Sequence, residues 1–279
     1  MQKISTHNFG AIAGDLLPGP VVLILNEDDF ELASTVEHHR DLGFENIVVI
    51  GAPNNSAGID ATIVPAAANG SPGDVINPLM DMLAGRWVLV LYNAEYLIFP
   101  FCEHRTIRDV TQFMDEERRN AVFCVTVDLY SEEIDRDATN IDRENMWFDK
   151  AGYYAMDRFD GPDRLVRQIN IFGGLKWRYA EHVPWHRQSI ERIALFRAAT
   201  GLRFDSAGVL SDAEMNTIAC PWHNNLTAGI ASCRVAKSLL QNPGSTWDIE
   251  RFTWGQSERF DWTSTQLMHH GLIEPGQWF

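Results

Sequence analysis

The sequence predicts an α/β protein: a mostly parallel central sheet flanked by helices, with a helical, aromatic C-terminal region. Two observations predict it. The runs Val21–Leu25, Ile47–Ile50 and Trp87–Leu91 are unbroken apolar stretches, as in strands covered on both faces. Between them lie helix-compatible segments and breaker clusters, so β and α alternate through the first part of the chain.

Each element has its own local reason. Pro18, Gly19 and Pro20 punctuate the approach to Val21–Leu25, and Asn26-Glu27-Asp28-Asp29 follows as a polar loop rich in helix-capping acids. Phe30 to Leu42 carries Leu32, Ala33 and Val36 on one helical face and stops at Gly43. With Ile47–Ile50 this makes a βαβ unit of roughly thirty residues, whose crossover is expected to be right-handed. Ala61–Val64 reads as a short third strand, and Val75 to Leu83 as a helix after the breaker cluster Asn69–Gly73. Trp87–Leu91 then runs into the polar tip Tyr92-Asn93-Ala94-Glu95-Tyr96. Ligands of open α/β sheets sit off the carboxyl ends of such strands, so this tip is the first place to look for a site; a core strand running into an ordinary turn is the alternative.

Further on, Arg105–Arg119 is helix-compatible and Ala121–Val127 is another apolar strand, with Asp128-Leu129-Tyr130 at its exit. Ser131–Asp149 is charged and reads as a surface excursion. Ile171-Phe172-Gly173-Gly174-Leu175 reads as a turn or bulge between extended pieces. Pro184–Ala198 is aromatic and basic, and Cys220–Leu240 opens on Pro221-Trp222-His223 and continues as a helix to about Asn242.

Bulk properties narrow the function classes. Lys+Arg is 23 against Asp+Glu 38, a net charge of −15, which argues against nucleic acid or anionic lipid as a partner. The four cysteines are widely spaced, with no zinc-type pair, and fit buried thiols in a reducing cytoplasm. Neither a signal peptide nor a transmembrane run is evident, and there is no dinucleotide-binding or P-loop glycine pattern.

The order of the opening motifs resembles the family 2-like glycosyltransferases of the GT-A fold, in their bacterial branch. It reads strand, Asn26-Glu27, a helix with His38-His39, Leu42-Gly43-Phe44, then the second strand, with Phe172-Gly173-Gly174 and a late His223 further on. The resemblance spans about Val21 to Leu240. It implies a nucleotide-sugar donor, a glycan or other small acceptor, and a division into a 1–20 extension, a 21–200 nucleotide-sugar-binding core and a 201–279 acceptor-side or lid region. It also implies a manganese or magnesium ion on an Asp-x-Asp motif, but Tyr92 and Ala94 stand where those aspartates belong. Gly51-Ala52 replaces the acid expected after the second strand.

The chemistry of sugar transfer names the remaining candidates. Donor contacts are expected at Asn26 and Glu27, which the resemblance puts near the nucleotide, at Asn93 and Glu95 of the strand tip, and at Arg187 and His223, with Glu95 the one acid left for a metal. Positive charge near the leaving diphosphate could come from Arg187, Arg192 or His186; the alternative is a solvated or acid-paired helix face. A general base for the acceptor hydroxyl could be Asp128 or Asp212, each of which could instead be a cap or surface acid. His38-His39 reads as helix packing, since adjacent helical side chains diverge. Two functions stay open: a glycosyltransferase, or a degenerate homologue that binds nucleotide or glycan without turnover.

Overall fold

The computed structural model describes residues 6–55, 58–65, 72–133, 141–222, 224–245 and 249–278. In chain order the elements are α1 (Thr6–Asp15), β1 (Val21–Leu25), α2 (Leu32–Asp41), β2 (Asn46–Ile50), β3 (Thr62–Val64), α3 (Pro72–Ile76), β4 (Trp87–Tyr92), β5 (Glu95–Ile98), α4 (Ile107–Glu116) and β6 (Ala121–Ser131). They continue as β7 (Met146–Asp149), β8 (Tyr154–Asp160), β9 (Asp163–Phe172), α5 (Gly174–Arg178), β10 (Glu191–Arg197), β11 (Thr227–Ser232), α6 (Arg234–Gln241), β12 (Ser257–Arg259) and α7 (Ser264–His269). The class is α/β, a mixed sheet with helices. Contacts divide the chain into two units, one of Met1–Ala94, His104–Phe123 and Arg192–Asn216, the other of Glu95–Glu103, Cys124–Glu191 and Thr217–Phe279.

In the first unit the strand order is β10-β4-β1-β2-β3. β1 pairs in parallel with β2 and β4, and β2 with β3; β10 closes antiparallel on β4. The parallel alternation expected of the first elements is therefore present. Every residue of β1 and β2 is buried, which is why both are apolar apart from Asn46, whose amide is satisfied by the Leu17 and Pro20 backbone; burying each Val, Leu or Ile side chain is worth about 1.5–3 kcal/mol. The α2 helix supplies the crossover. It buries Leu32, Thr35, Val36 and His39 and ends before Gly43 at φ +90°. In α4 the Asp109 carboxylate accepts from the Thr106 N–H at 2.7 Å at the helix start, and Ile107, Val110 and Met114 are buried. The helix expected over Val75–Leu83 is instead split into α3 and a 3-10 turn at Met80–Leu83. Pro78 disfavours helical backbone at Asn77, and the Asn77 side chain turns away to hold the Phe204 backbone at 2.7 and 2.8 Å.

In the second unit the β5–β11, β6–β7 and β7–β12 pairs are antiparallel. β11 pairs with β5 and with β6, and β6, β7 and β12 run side by side. β8 and β9 form a separate two-stranded hairpin turning at Gly161-Pro162. Four expectations need correction here. β6 runs to Ser131, so Asp128 lies within the strand and not at its exit. The charged stretch after it contains a strand, β7; its residues 134–140 lie outside the described residues. The Gly173-Gly174 turn joins a strand to a helix. The segment from Cys220 begins with a buried strand, β11, before α6. C-terminal aromatics fill this unit's core, Phe252 against Tyr130 and Trp278 against Phe99 and Phe101.

Candidate functional site

The first unit's strand order reverses between β1 and β4. From β1 the chain steps outward to β2 and β3, then returns to place β4 on β1's other side. Such a switch point leaves a crevice at the carboxyl ends of its two strands. Here Asn26-Glu27-Asp28-Asp29 follows β1, and Asn93 follows β4. The Asn93 amide donates to Asp28 Oδ1 at 2.7 Å and to the Phe30 carbonyl at 2.8 Å, and its oxygen accepts from the Glu27 N–H at 3.1 Å. Asn26 donates to Asp29 Oδ1 at 2.5 Å and accepts from the Asp29 N–H at 3.1 Å. Asp29 Oδ2 takes the Asn54 N–H at 2.8 Å and its amide at 2.7 Å. Burial works against the Asp29 carboxylate, yet these donors prevail and hold its pKa below the ordinary value. Asn26 and Asn93 are thus buried positioning groups, while Glu27 and Asp28 stand exposed at the rim.

The positions a metal would need are shaped otherwise. Ala94 is buried at φ 60°, with its N–H on Thr35 Oγ1 at 2.9 Å; Tyr92 is half-buried at the end of β4. At Gly51, φ is +112° and a Cβ would lie 2.5 Å from the Asn26 carbonyl oxygen, so no acid can stand there without moving the loop. Glu95, in the second unit, is buried opposite Ser232 with Arg234 Nε at 4.0 Å. Among the described residues no three His, Cys, Asp or Glu side chains gather to hold an ion. A hard cation wants several oxygen ligands; Asn93 is engaged by the loop after β1 and Glu95 faces a guanidinium, so these residues do not fit one.

The second unit holds a buried acid network. Continuing the β6–β7 register by one pair sets Asp128 opposite Asp149, which in turn pairs with Ser257. Asp149 accepts from the Tyr130 hydroxyl, from Arg178 at 3.0 Å and from the Trp254 indole at 2.7 Å. Asp128 Oδ2 accepts from the Leu175 N–H at 2.9 Å, whereas its Oδ1 is buried with no hydrogen-bond partner among the described residues. Burial pushes the Asp128 pKa up from 3.8 to about 6; Lys176 and the backbone N–H groups of Leu175 and Lys176 oppose that, and Asp149 reinforces it. The Phe-Gly-Gly turn is fitted to this acid. Gly174 sits at φ +63°, where a Cβ would lie 2.7 Å from Asp128 Oδ2, and a Cβ on Gly173 would overlap the Tyr153 ring.

The other sequence candidates lie apart from these networks. Asp212 is exposed and accepts from the Glu214 N–H at 3.0 Å, capping the 3-10 turn Ala213–Asn216. Arg187 is exposed on the turn Trp185–Arg187, so the aromatic-basic stretch is a turn and a strand, not a helix face. His223 lies outside the described residues. His39 is fully buried in α2, its Nδ1 2.7 Å from the Thr35 carbonyl, in the packing role expected. Sequence reading missed Asp149, one acid in a charged run, because only the cross-strand register buries it.

The fold and site thus define an α/β protein with a polar, interlocked loop at a strand-order switch point. No protein-family model matches the chain, and no curated protein matches it. Among solved structures it is similar to one from Bacillus anthracis described as a "Putative Glucose-1-Phosphate Thymidylyltransferase" in complex with a sucrose; the TM-score is 0.36 at 10% identity, covering 71% of this chain and 81% of that one. A likeness that loose fixes neither family nor activity.

Proposed function

We propose that the chain binds a nucleotide-sugar at the carboxyl ends of β1 and β4 and transfers the sugar to an acceptor, as a GT-A-like glycosyltransferase without a bound metal. The observation that supports it is the loop Asn26–Asp29 interlocked with Asn93 at the switch point. In this reading Glu27 accepts from a donor hydroxyl or base N–H, Glu95 steadies the strand that follows the tip, and Arg187 and His223 remain candidates for the diphosphate. Asp128 and Asp212 remain the candidates for a general base to the acceptor hydroxyl. The 21–200 segment is the donor-binding core and 201–279 the acceptor side.

The second reading, a homologue that binds the donor without turnover, is favoured by Tyr92 and Ala94 in place of metal-binding acids. Thermal-shift and calorimetric titrations with uridine and guanosine diphosphates, with and without manganese, test both. Stabilisation without metal, reaching about 2.7 kcal/mol at a hundredfold excess over Kd, and lost in Glu27→Lys with unchanged melting, is the expected result. Absence of stabilisation by either nucleotide refutes donor binding. Release of free sugar from a uridine or guanosine diphosphate donor separates transferase from binder.

A further inference from the structure

We propose that the aromatic corner built by Tyr154, Phe172, Trp177 and Trp185 in the second unit is a binding subsite for a neutral saccharide chain. As an acceptor site it rests on the transfer reading above; as a saccharide-binding surface it stands alone.

The corner has two walls. Phe172, the last residue of β9, stacks on Tyr154, its register partner at the start of β8, with ring centroids 5.3 Å apart and planes at 20°. Phe172 also stacks on Trp185 at 5.8 Å and 21°. Trp177 of α5 meets Tyr154 edge-on at 4.9 Å and 78°. Phe172 is buried, but Trp185 is 71% exposed and Trp177 43%. Trp185 thus packs on Phe172 yet stays largely in water, and Trp177 is part-covered.

Exposure of this kind would mean little on a mobile loop, but the segment carrying Trp185 is tied down. Gln188, itself buried, donates to the carbonyls of Ala180 at 3.1 Å and Val183 at 3.0 Å, and Lys176 Nζ reaches the Ser189 carbonyl at 3.0 Å. A large ring held in one place and left wet is preorganised for a partner.

The chemistry of the surroundings selects the partner. The indole N–H groups of Trp177 and Trp185 and the imidazole of His186 have no hydrogen-bond partner among the described residues. Flat π-faces that attract C–H edges, bordered by unused donors, suit a molecule with C–H faces and many hydroxyl oxygens. An apolar helix would cover the rings and leave those donors buried and unmet, which is costly.

The experiment titrates the full chain with cellohexaose, maltohexaose and chitohexaose, read by tryptophan fluorescence and calorimetry. At least one is expected to bind, with Kd weakened tenfold or more in Trp185→Ala and in Trp177→Ala. Affinity should hold in 0.5 M salt, since no ion pair is involved. Circular dichroism and melting of both variants check folding, and Trp185→Phe, which keeps a stacking face, should retain most of the binding. Failure of all three hexasaccharides overturns the proposal. So does binding that both alanine variants leave intact, or wild-type self-association in the ultracentrifuge that Trp185→Ala abolishes without any saccharide binding. Nucleotide stabilisation, measured in parallel, should be unchanged in these variants, so loss of the donor reading and loss of this one are told apart.

Discussion

Replacing Asp128 by Asn isolates the cost of a buried carboxylate. The side chain is 1% exposed, one oxygen accepts from Leu175 N–H at 2.9 Å and the other has no hydrogen-bond partner among the described residues. Burial raises its pKa from 3.8 to about 6, a rise of about 2 units. At about 1.36 kcal/mol per unit, ionising Asp128 in the folded protein costs about 3 kcal/mol by pH 8. Because the folded state holds this proton more tightly, it binds more protons than the unfolded state between pH 3.8 and about 6. The contribution is therefore fully present below pH 3.8 and is lost as pH rises through about 6. Asn keeps an acceptor for Leu175 but weakens that bond by about 1 kcal/mol. The variant should gain about 2 kcal/mol at pH 8 and lose about 1 kcal/mol at pH 4, where only the weaker bond to Leu175 counts. Urea unfolding of both proteins from pH 4 to 8 measures this. A variant less stable than wild type at pH 8, or a difference between the two that does not change with pH, would refute the assignment.

Two further outcomes follow from the same reasoning. Burial, aided by the neighbouring His38, depresses the His39 pKa from 6.5 to about 3. The imidazole should stay neutral in nuclear magnetic resonance titrations down to pH 4, and its share of stability, about 5 kcal/mol at about 1.36 per unit, should fade as pH drops from 6.5 towards 3; titration near 6 would contradict this. Gly51→Asp, which restores the acid the resemblance expects, should destabilise the fold by about 2–4 kcal/mol through strained backbone and displacement of the Asn26 carbonyl. It should confer no manganese-dependent nucleotide binding, and a manganese-induced gain in melting temperature would count against the geometry described for this loop.

How far the molecule can be read from its residues varies along the chain. β1, β2 and β4 were legible because strands buried on both faces leave continuous apolar runs. β11 was not, since Thr227-Ala228-Gly229-Ile230-Ala231-Ser232 is small-residue sequence of low β propensity. Its packing explains the composition: a Cβ on Gly229 would lie 2.9 Å from Leu267. The β8–β9 hairpin did carry a signal, Gly161-Pro162 at the turn, but its strands lack clean alternation. Asp128 stood out as a strand-associated acid, whereas its pairing with Asp149 depends on a register between strands that local sequence does not encode. The Asn26 and Asn93 pairing is legible only as two polar strand tips; that they brace one loop is a property of the parallel sheet.

The antiparallel closure of β4 has a kinetic consequence during synthesis. Leu89 pairs with Leu195, 106 positions later (195 − 89). At ~5–20 residues per second the ribosome needs about 5–20 s to deliver that partner. For that interval the nascent chain exposes an apolar strand edge with open N–H and C=O groups, a template for pairing with other chains. Translation speed and chaperone occupancy over that stretch should then govern the yield of correctly folded protein.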